Sequence, residues 1–259
     1  MSFLHTVILG IVEGLTEFLP ISSTAHIDIA RSLLAIPVSE FIKSFEIIIQ
    51  LGAICAVIVV YGKKILTSAC YIRNLCIAFI PTGIIGFLLY KIIKAFLIGN
   101  ILIAGIMLLL GGIIIIVFER REVRKVVPVS DIAVENLSIK TLLSLGVIQA
   151  LAVVPGVSRS GAVIIGGRML GLPKTTITEF SFALAIPTML AATAYDLLKS
   201  GLSFSSSQWG TVALGFIISF LVAFAVIKWF LSYIKKHSFE VFGWYRVIIG
   251  SIIILIFIL

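Results

Sequence analysis

The 259-residue sequence predicts an all-α, polytopic membrane protein: six transmembrane helices plus two re-entrant helical hairpins, arranged as an inverted-topology repeat. Three observations carry this. The residues are 60% hydrophobic and 12% charged, with a mean hydropathy of +1.22, whereas soluble domains carry roughly 25% charged residues. Six stretches are apolar over about the 20 residues needed to cross a bilayer. Two further apolar stretches are each interrupted by a short polar turn.

Taken in order, the chain begins with an apolar stretch, 3–36, broken at Pro20-Ile21-Ser22-Ser23-Thr24. It lacks a basic n-region, and Glu13 falls where a signal peptide would be apolar, so it is expected to be retained. Spans follow at 40–61, 72–90 and 98–118. Residues 119–137, running from Glu119-Arg120-Arg121-Glu122 to Glu135 and beyond, form the long charged stretch and read as a solvated cytoplasmic linker. A second interrupted stretch, 138–171, is broken at Pro155-Gly156-Val157-Ser158-Arg159-Ser160-Gly161. Spans at 175–198, 208–232 and 240–258 complete the chain. Non-helical backbone at membrane depth is tolerated only where protein or a watery cavity satisfies it, so each interrupted stretch reads as two half-length helices meeting at a buried turn.

The interrupted stretches resemble each other. Gly10-Ile11-Val12-Glu13 matches Gly146-Val147-Ile148-Gln149 at an offset of 149 − 13 = 136, and Glu46 matches Glu179 at 179 − 46 = 133. The halves are therefore expected to be 1–118 and 138–259, each a hairpin followed by three spans. An odd number of spans turns the second copy over, and matching broken segments in such repeats point to the site.

Basic residues set the orientation. With the linker cytoplasmic, that side collects Lys63, Lys64, Arg73, Arg120, Arg121, Arg124, Lys125, Lys140, Arg168, Lys174, Lys228, Lys235, Lys236 and Arg246. The outer side keeps Arg31, Lys43, Lys91, Lys94 and Lys199. Fourteen against five, with Arg159 set aside as a site residue, is the bias that marks cytoplasmic loops of a cell membrane protein. Both termini then lie outside, and the two hairpins enter from opposite faces to meet near mid-membrane. The net charge of +8 is accounted for by these loops, so no nucleic-acid partner is expected. Cys55, Cys70 and Cys76 show neither metal-ligand spacing nor a disulfide framework.

The turns carry the chemistry. Glu13 and Glu17 share one helix face at i, i+4. Two carboxylates in low dielectric repel, so one stays protonated unless a cation lies between them. They fit a hard divalent cation shared with phosphate oxygens, general acid–base work, or a purely structural pairing with hydroxyls and Arg159. Ser22, Ser23 and Thr24 open the next helix, where one serves as N-cap and the helix end offers N–H groups to an anion. His26 follows closely enough to act with a serine, and is the histidine that lies within an apolar segment. Ser158, Arg159, Ser160 and Gly161 repeat the design, with an arginine suited to bidentate phosphate binding. Glu46, Gln50, Gln149, Glu179, Ser181 and Asp196 are less telling.

The run Glu13–His26 and the run Pro155–Gly161 resemble the two signature motifs of the undecaprenyl-diphosphate phosphatase family, also called the bacitracin-resistance family. Phe45–Gly52 and Glu179–Pro187 are similar to further segments of that family, and the likeness covers essentially the whole chain. The resemblance implies hydrolysis of undecaprenyl diphosphate to undecaprenyl phosphate and inorganic phosphate. That reaction recycles the lipid carrier of peptidoglycan and other envelope polymers, at a site open to the outer face. It also implies a divalent cation (Mg²⁺ or Ca²⁺), bacitracin resistance on overproduction, and a homodimer. By motif, Glu13, Glu17, Ser23, His26 and Arg159 are the residues expected to act, with Ser23, His26 or water as nucleophile. A second class of membrane lipid phosphatases also carries Ser-Arg, followed by a catalytic histidine. No histidine lies between Arg159 and His237, so that class fits poorly. The rival reading is a polyprenyl-phosphate flippase using the same mid-membrane site, since inverted repeats are common in transporters.

Overall fold

The computed structural model describes residues 1–92, 100–122, 132–200 and 204–258. The start of the third span at 98 and positions 123–131 of the linker lie outside the described residues, as do Lys94, Arg124, Lys125 and the side chains of Lys91, Asp196 and Lys199. Among the described residues there are ten α-helices and no strand. They are α1 (Phe3–Thr16), α2 (Ser23–Leu33), α3 (Glu40–Leu66), α4 (Ala69–Ile92), α5 (Ile101–Glu122), α6 (Ile139–Ala150), α7 (Arg159–Met169), α8 (Lys174–Ser200), α9 (Ser206–Ile234) and α10 (Glu240–Ile258). Six of them, α3, α4, α5, α8, α9 and α10, are long and apolar enough to cross a membrane. The remaining four are the shorter helices on either side of the two predicted breaks.

Local chemistry sets the helix starts. Ser2, Ser39 and Ser138 accept backbone N–H bonds from His5, Ile42 and Thr141, so α1, α3 and α6 begin on capped turns. Ser205 and Gln208 form a reciprocal capping box at α9.

The two breaks share backbone geometry at the offset of 136. Ser22 and Ser158 hold φ of 71° and 72°, immediately before two helices of 11 residues each. Both helices end in the same left-handed cap. Ala35 and Gly171 take φ of 51° and 85°, and the N–H groups of Ile36 and Leu172 return to the carbonyls of Arg31 and Gly167. A backbone motif that costs an L-residue energy at Ser22, Ser158 and Ala35 is thus retained in both halves.

Packing interlocks the halves. The first hairpin helix α1 lies along α9, while α6 lies along α4, so each hairpin docks on a long helix from the other half. Corresponding helices run antiparallel. Gly105 meets Gly250 and Gly112 meets Gly243 between α5 and α10. The Lys64–Glu179 ion pair, at 2.7 Å, ties the last turn of α3 to the first turns of α8. One apolar core runs through both halves, with Phe18, Phe180, Phe182 and Phe230 fully buried in it.

One basic residue is not where the charge count put it. Arg246 is 1% exposed inside α10 and belongs to the protein interior rather than to the cytoplasmic side. The tally becomes 14 − 1 = 13 against five. Six residues past the start of a helix, it reads in sequence as a charge at the membrane edge; in three dimensions its side chain turns inward.

A candidate active site between the two hairpin turns

The two breaks converge on one small cavity of about 70 Å³. The first turn lines it with Glu17, Ser22, Ser23 and Thr24, and the second with Ser158 and Arg159. Gln50 of α3 and Met189 of α8 close its sides.

Arg159 is the central contact. Its Nη2 donates to Glu17 Oε1 at 2.7 Å and its Nη1 to the Ser181 carbonyl at 2.8 Å, with the guanidinium carbon 5.9 Å from the Phe18 ring centroid. Both charged side chains are almost fully buried. The other Glu17 oxygen, Oε2, accepts from Ser23 Oγ. Ser23, Glu17 and Arg159 therefore form a continuous chain across the boundary between halves. Ser160 Oγ adds a second tie, donating to the Leu19 carbonyl at 2.8 Å.

The side-chain N-cap expected from Ser22, Ser23 or Thr24 is not formed at α2 and is found instead at the start of α7. Ser158 Oγ accepts from Gly161 N–H at 3.1 Å and caps α7, which also consumes the Gly161 donor. Ser22 occupies the matching position before α2 but makes no side-chain cap; its Oγ lies 3.2 Å from Thr24 Oγ1 instead. The first N–H groups of α2 are left without a side-chain acceptor at a cavity wall, an arrangement suited to an anion.

Glu13 is 0% exposed, and neither of its carboxylate oxygens accepts a hydrogen bond. Its charged surroundings are Glu17, Glu46 and Arg159. The matching residue in the second half, Gln149, spends its amide on Thr82 and Thr188 Oγ1, both at 3.0 Å. A buried carboxylate with free acceptors beside a second carboxylate is a donor set for a divalent cation completed by phosphate oxygens. Among the described residues no group of three or more His, Cys, Asp or Glu gathers as a metal site, so substrate oxygens would supply the remaining ligands.

His26 is not part of the cavity wall. Its Nδ1 lies 2.7 Å from the Ser22 carbonyl and its Nε2 2.7 Å from Tyr245 Oη, with the two rings stacked at 5.5 Å. A carbonyl only accepts, so Nδ1 carries the proton and the Nε2 lone pair of the neutral ring receives the Tyr245 hydroxyl. Glu46 pairs with Arg31 at 3.4 Å and Glu179 with Lys64, both away from the cavity. Sequence reasoning undervalued Gln50, whose signal was an amide inside an apolar span, and missed Tyr245, which resembles any interfacial tyrosine.

The family model described as Bacitracin resistance protein BacA matches residues 6–252, a range that contains both turns. The chain belongs to this family. Curated relatives named undecaprenyl-diphosphatase include one from Aquifex aeolicus (strain VF5), 51% identical with 96% of each chain covered. Another, from Sulfurihydrogenibium sp. (strain YO3AOP1), is 48% identical over 96% of this chain and 97% of its own. One from Enterococcus faecalis is 41% identical over 99% of this chain and 97% of its own. In this bacitracin-resistance family member, then, the groups that meet at the cavity are a hydroxyl bonded to a carboxylate, a guanidinium and an uncapped helix end, with the buried Glu13 beside Glu17. Together they can bind a phosphate, accept a proton from a nucleophile and hold a cation.

Proposed function

We propose that this protein hydrolyses undecaprenyl diphosphate to undecaprenyl phosphate and inorganic phosphate, recycling the carrier lipid of peptidoglycan and other envelope polymers. The observation that carries the reading is the Ser23–Glu17–Arg159 chain joining the two hairpin turns. At about 30 Å³ per water molecule, the 70 Å³ cavity has room for about two waters, and the guanidinium facing it is already paired with Glu17. Substrate therefore displaces Glu17 from Arg159. The guanidinium and the uncapped start of α2 then grip the phosphate oxygens.

Glu17, released from Arg159, keeps its bond to Ser23 and takes the hydroxyl proton as Ser23 Oγ attacks the terminal phosphorus. The Oγ–P bond forms, the bond to the bridging oxygen breaks, and undecaprenyl phosphate leaves. Water then cleaves the phosphoserine, with His26 as its base once Nε2 exchanges the Tyr245 hydroxyl for that water, and inorganic phosphate is released. Positioning and charge neutralisation dominate phosphoryl transfer, which suits a site made mostly of fixed donors. A divalent cation, Mg²⁺ or Ca²⁺, would be held by Glu13 together with Glu17 and would neutralise charge on the phosphate oxygens. The uncommitted oxygens of Glu13 support this assignment.

The same reading places the chain in the cell membrane with the cavity opening to the outer face, on the basis of the basic-residue bias, and as a homodimer by family likeness. A flippase needs no nucleophile, and the Ser23–Glu17 bond favours hydrolysis. The test is phosphate release from a C55 diphosphate by detergent-purified protein, with and without chelator, followed by acid quenching and mapping of trapped phosphate. Release that chelator abolishes, with phosphate on Ser23, is expected. Phosphate trapped on His26, or none trapped at any time, contradicts the Ser23 assignment.

A further inference from the structure

Arg246 is among the most completely buried large side chains of the protein, at 1% exposure. A guanidinium has five N–H donors, and here all five are used on backbone carbonyls. Nη1 donates to Pro20 and Val157 at 3.0 and 3.1 Å, and Nη2 to Gly156 and Met107 at 2.9 and 3.1 Å. Nε reaches Leu108 at 3.4 Å. No ion pair among the described residues includes it. A buried charge is ordinarily matched by an opposite charge; this one is solvated by carbonyls from α5 and from both hairpin turns at once.

We infer that Arg246 is a positioning residue for the phosphatase site, an anchor from outside both hairpins that helps hold the two hairpin turns in register across the cavity. Pro20 lies two residues before Ser22, and Gly156 and Val157 immediately precede Ser158 and Arg159. Within a trans peptide the C=O and N–H point in opposite directions. Holding the Val157 carbonyl on Arg246 thus turns the Ser158 N–H away from the guanidinium, at the point where Ser158 and Arg159 line the cavity. The positive charge also sits behind the starts of α2 and α7, and among the described residues no acid pairs with it. The fit is built from α5 as well. A Cβ on Gly111 would lie 2.8 Å from the guanidinium carbon, so only glycine leaves room for the clamp.

This inference rests on the cavity being the diphosphate site, and its test separates the two. Arg246→Lys keeps the charge but replaces a planar fork with a compact ammonium that cannot span both turns. Gly111→Ala keeps the arginine and crowds it off the carbonyls. For both variants, kcat of phosphate release, KM, thermal melting and deuterium uptake of residues 18–24 and 154–161 are measured, with Arg159→Ala alongside. We expect kcat to fall about tenfold, as for loss of an interaction of roughly 1.4 kcal/mol, KM to stay within about twofold, and uptake in both turns to rise in protein that still melts cooperatively. Wild-type kcat in both variants, unchanged uptake in either turn, or a loss that tracks only the fraction of folded protein would overturn it. An active Arg159→Ala variant would instead refute the cavity assignment, while deuterium uptake still reads the clamp.

Discussion

Three of the groups proposed to act, Ser23, His26 and Arg159, are already held by internal partners. Glu17 occupies Arg159 and Ser23, and Tyr245 occupies His26. Binding must exchange these bonds for bonds to phosphate, so each internal partner shapes the reaction without touching the transferred group. Tyr245→Phe tests this directly. It keeps the stacked ring and removes the hydroxyl that orients Nε2, the nitrogen with the lone pair. One hydrogen bond is worth about 1 kcal/mol, so kcat should fall roughly five- to tenfold with KM little changed. A full-rate variant would mean that His26 works without Tyr245. Glu13, Glu17, Ser23, His26 and Arg159 stand out in the sequence because polar groups in apolar segments are costly, and Glu17, Ser23 and Arg159 line the cavity. Their pairing does not stand out: nothing in the spacing says that Ser23 bonds Glu17 while His26, three residues on, turns toward α10.

At the scale of elements, the two hairpins share a backbone and differ in capping. Ser158 caps α7 through its side chain, whereas Ser22, at the same φ, leaves α2 open. Loss of a side-chain cap costs about 1 kcal/mol, which in a chain of this size lowers a melting temperature by roughly 2–4 °C. Ser158→Ala should show that loss in a detergent melt, and Ser22→Ala should not. Equal shifts for the two would show that α2 is capped after all and its N–H groups are not free for an anion. Hydropathy alone located all six long helices and both breaks, since bilayer thickness and the need to bury broken backbone leave few alternatives. Which serine caps was beyond it, because Ser22 and Ser158 hold matching positions before their helices and the outcome turns on where each hydroxyl points. Arg246 was misplaced for a related reason. A charge near a helix start reads as interfacial unless one knows that α5 offers a glycine opposite it.

Across the whole molecule, a near-duplicated scaffold carries an undivided task. At the offset of 136, Ser23 corresponds to Arg159, Glu13 to Gln149 and His26 to Ala162. The first half brings the acids, the hydroxyl and the imidazole; the second brings the cation, and its counterpart of Glu13 has become a structural amide. Because α1 docks on α9 and α6 on α4, neither hairpin reaches the other's turn unless both halves are assembled. The repeat itself was visible as a weak match of four residues. The docking of each hairpin on the opposite half was not, since no local pattern specifies which apolar helix a given apolar face meets.

The measurement that bears most directly on this account is phosphate release from undecaprenyl diphosphate by purified Arg159→Ala. Removing the one guanidinium that bridges the halves at Glu17 should cut kcat by about a hundred- to a thousandfold, the range seen when a charge-stabilising group is removed from a reacting centre, in protein that remains folded. Release within a few-fold of wild type would contradict the claim that the two hairpin turns form a single hydrolytic site.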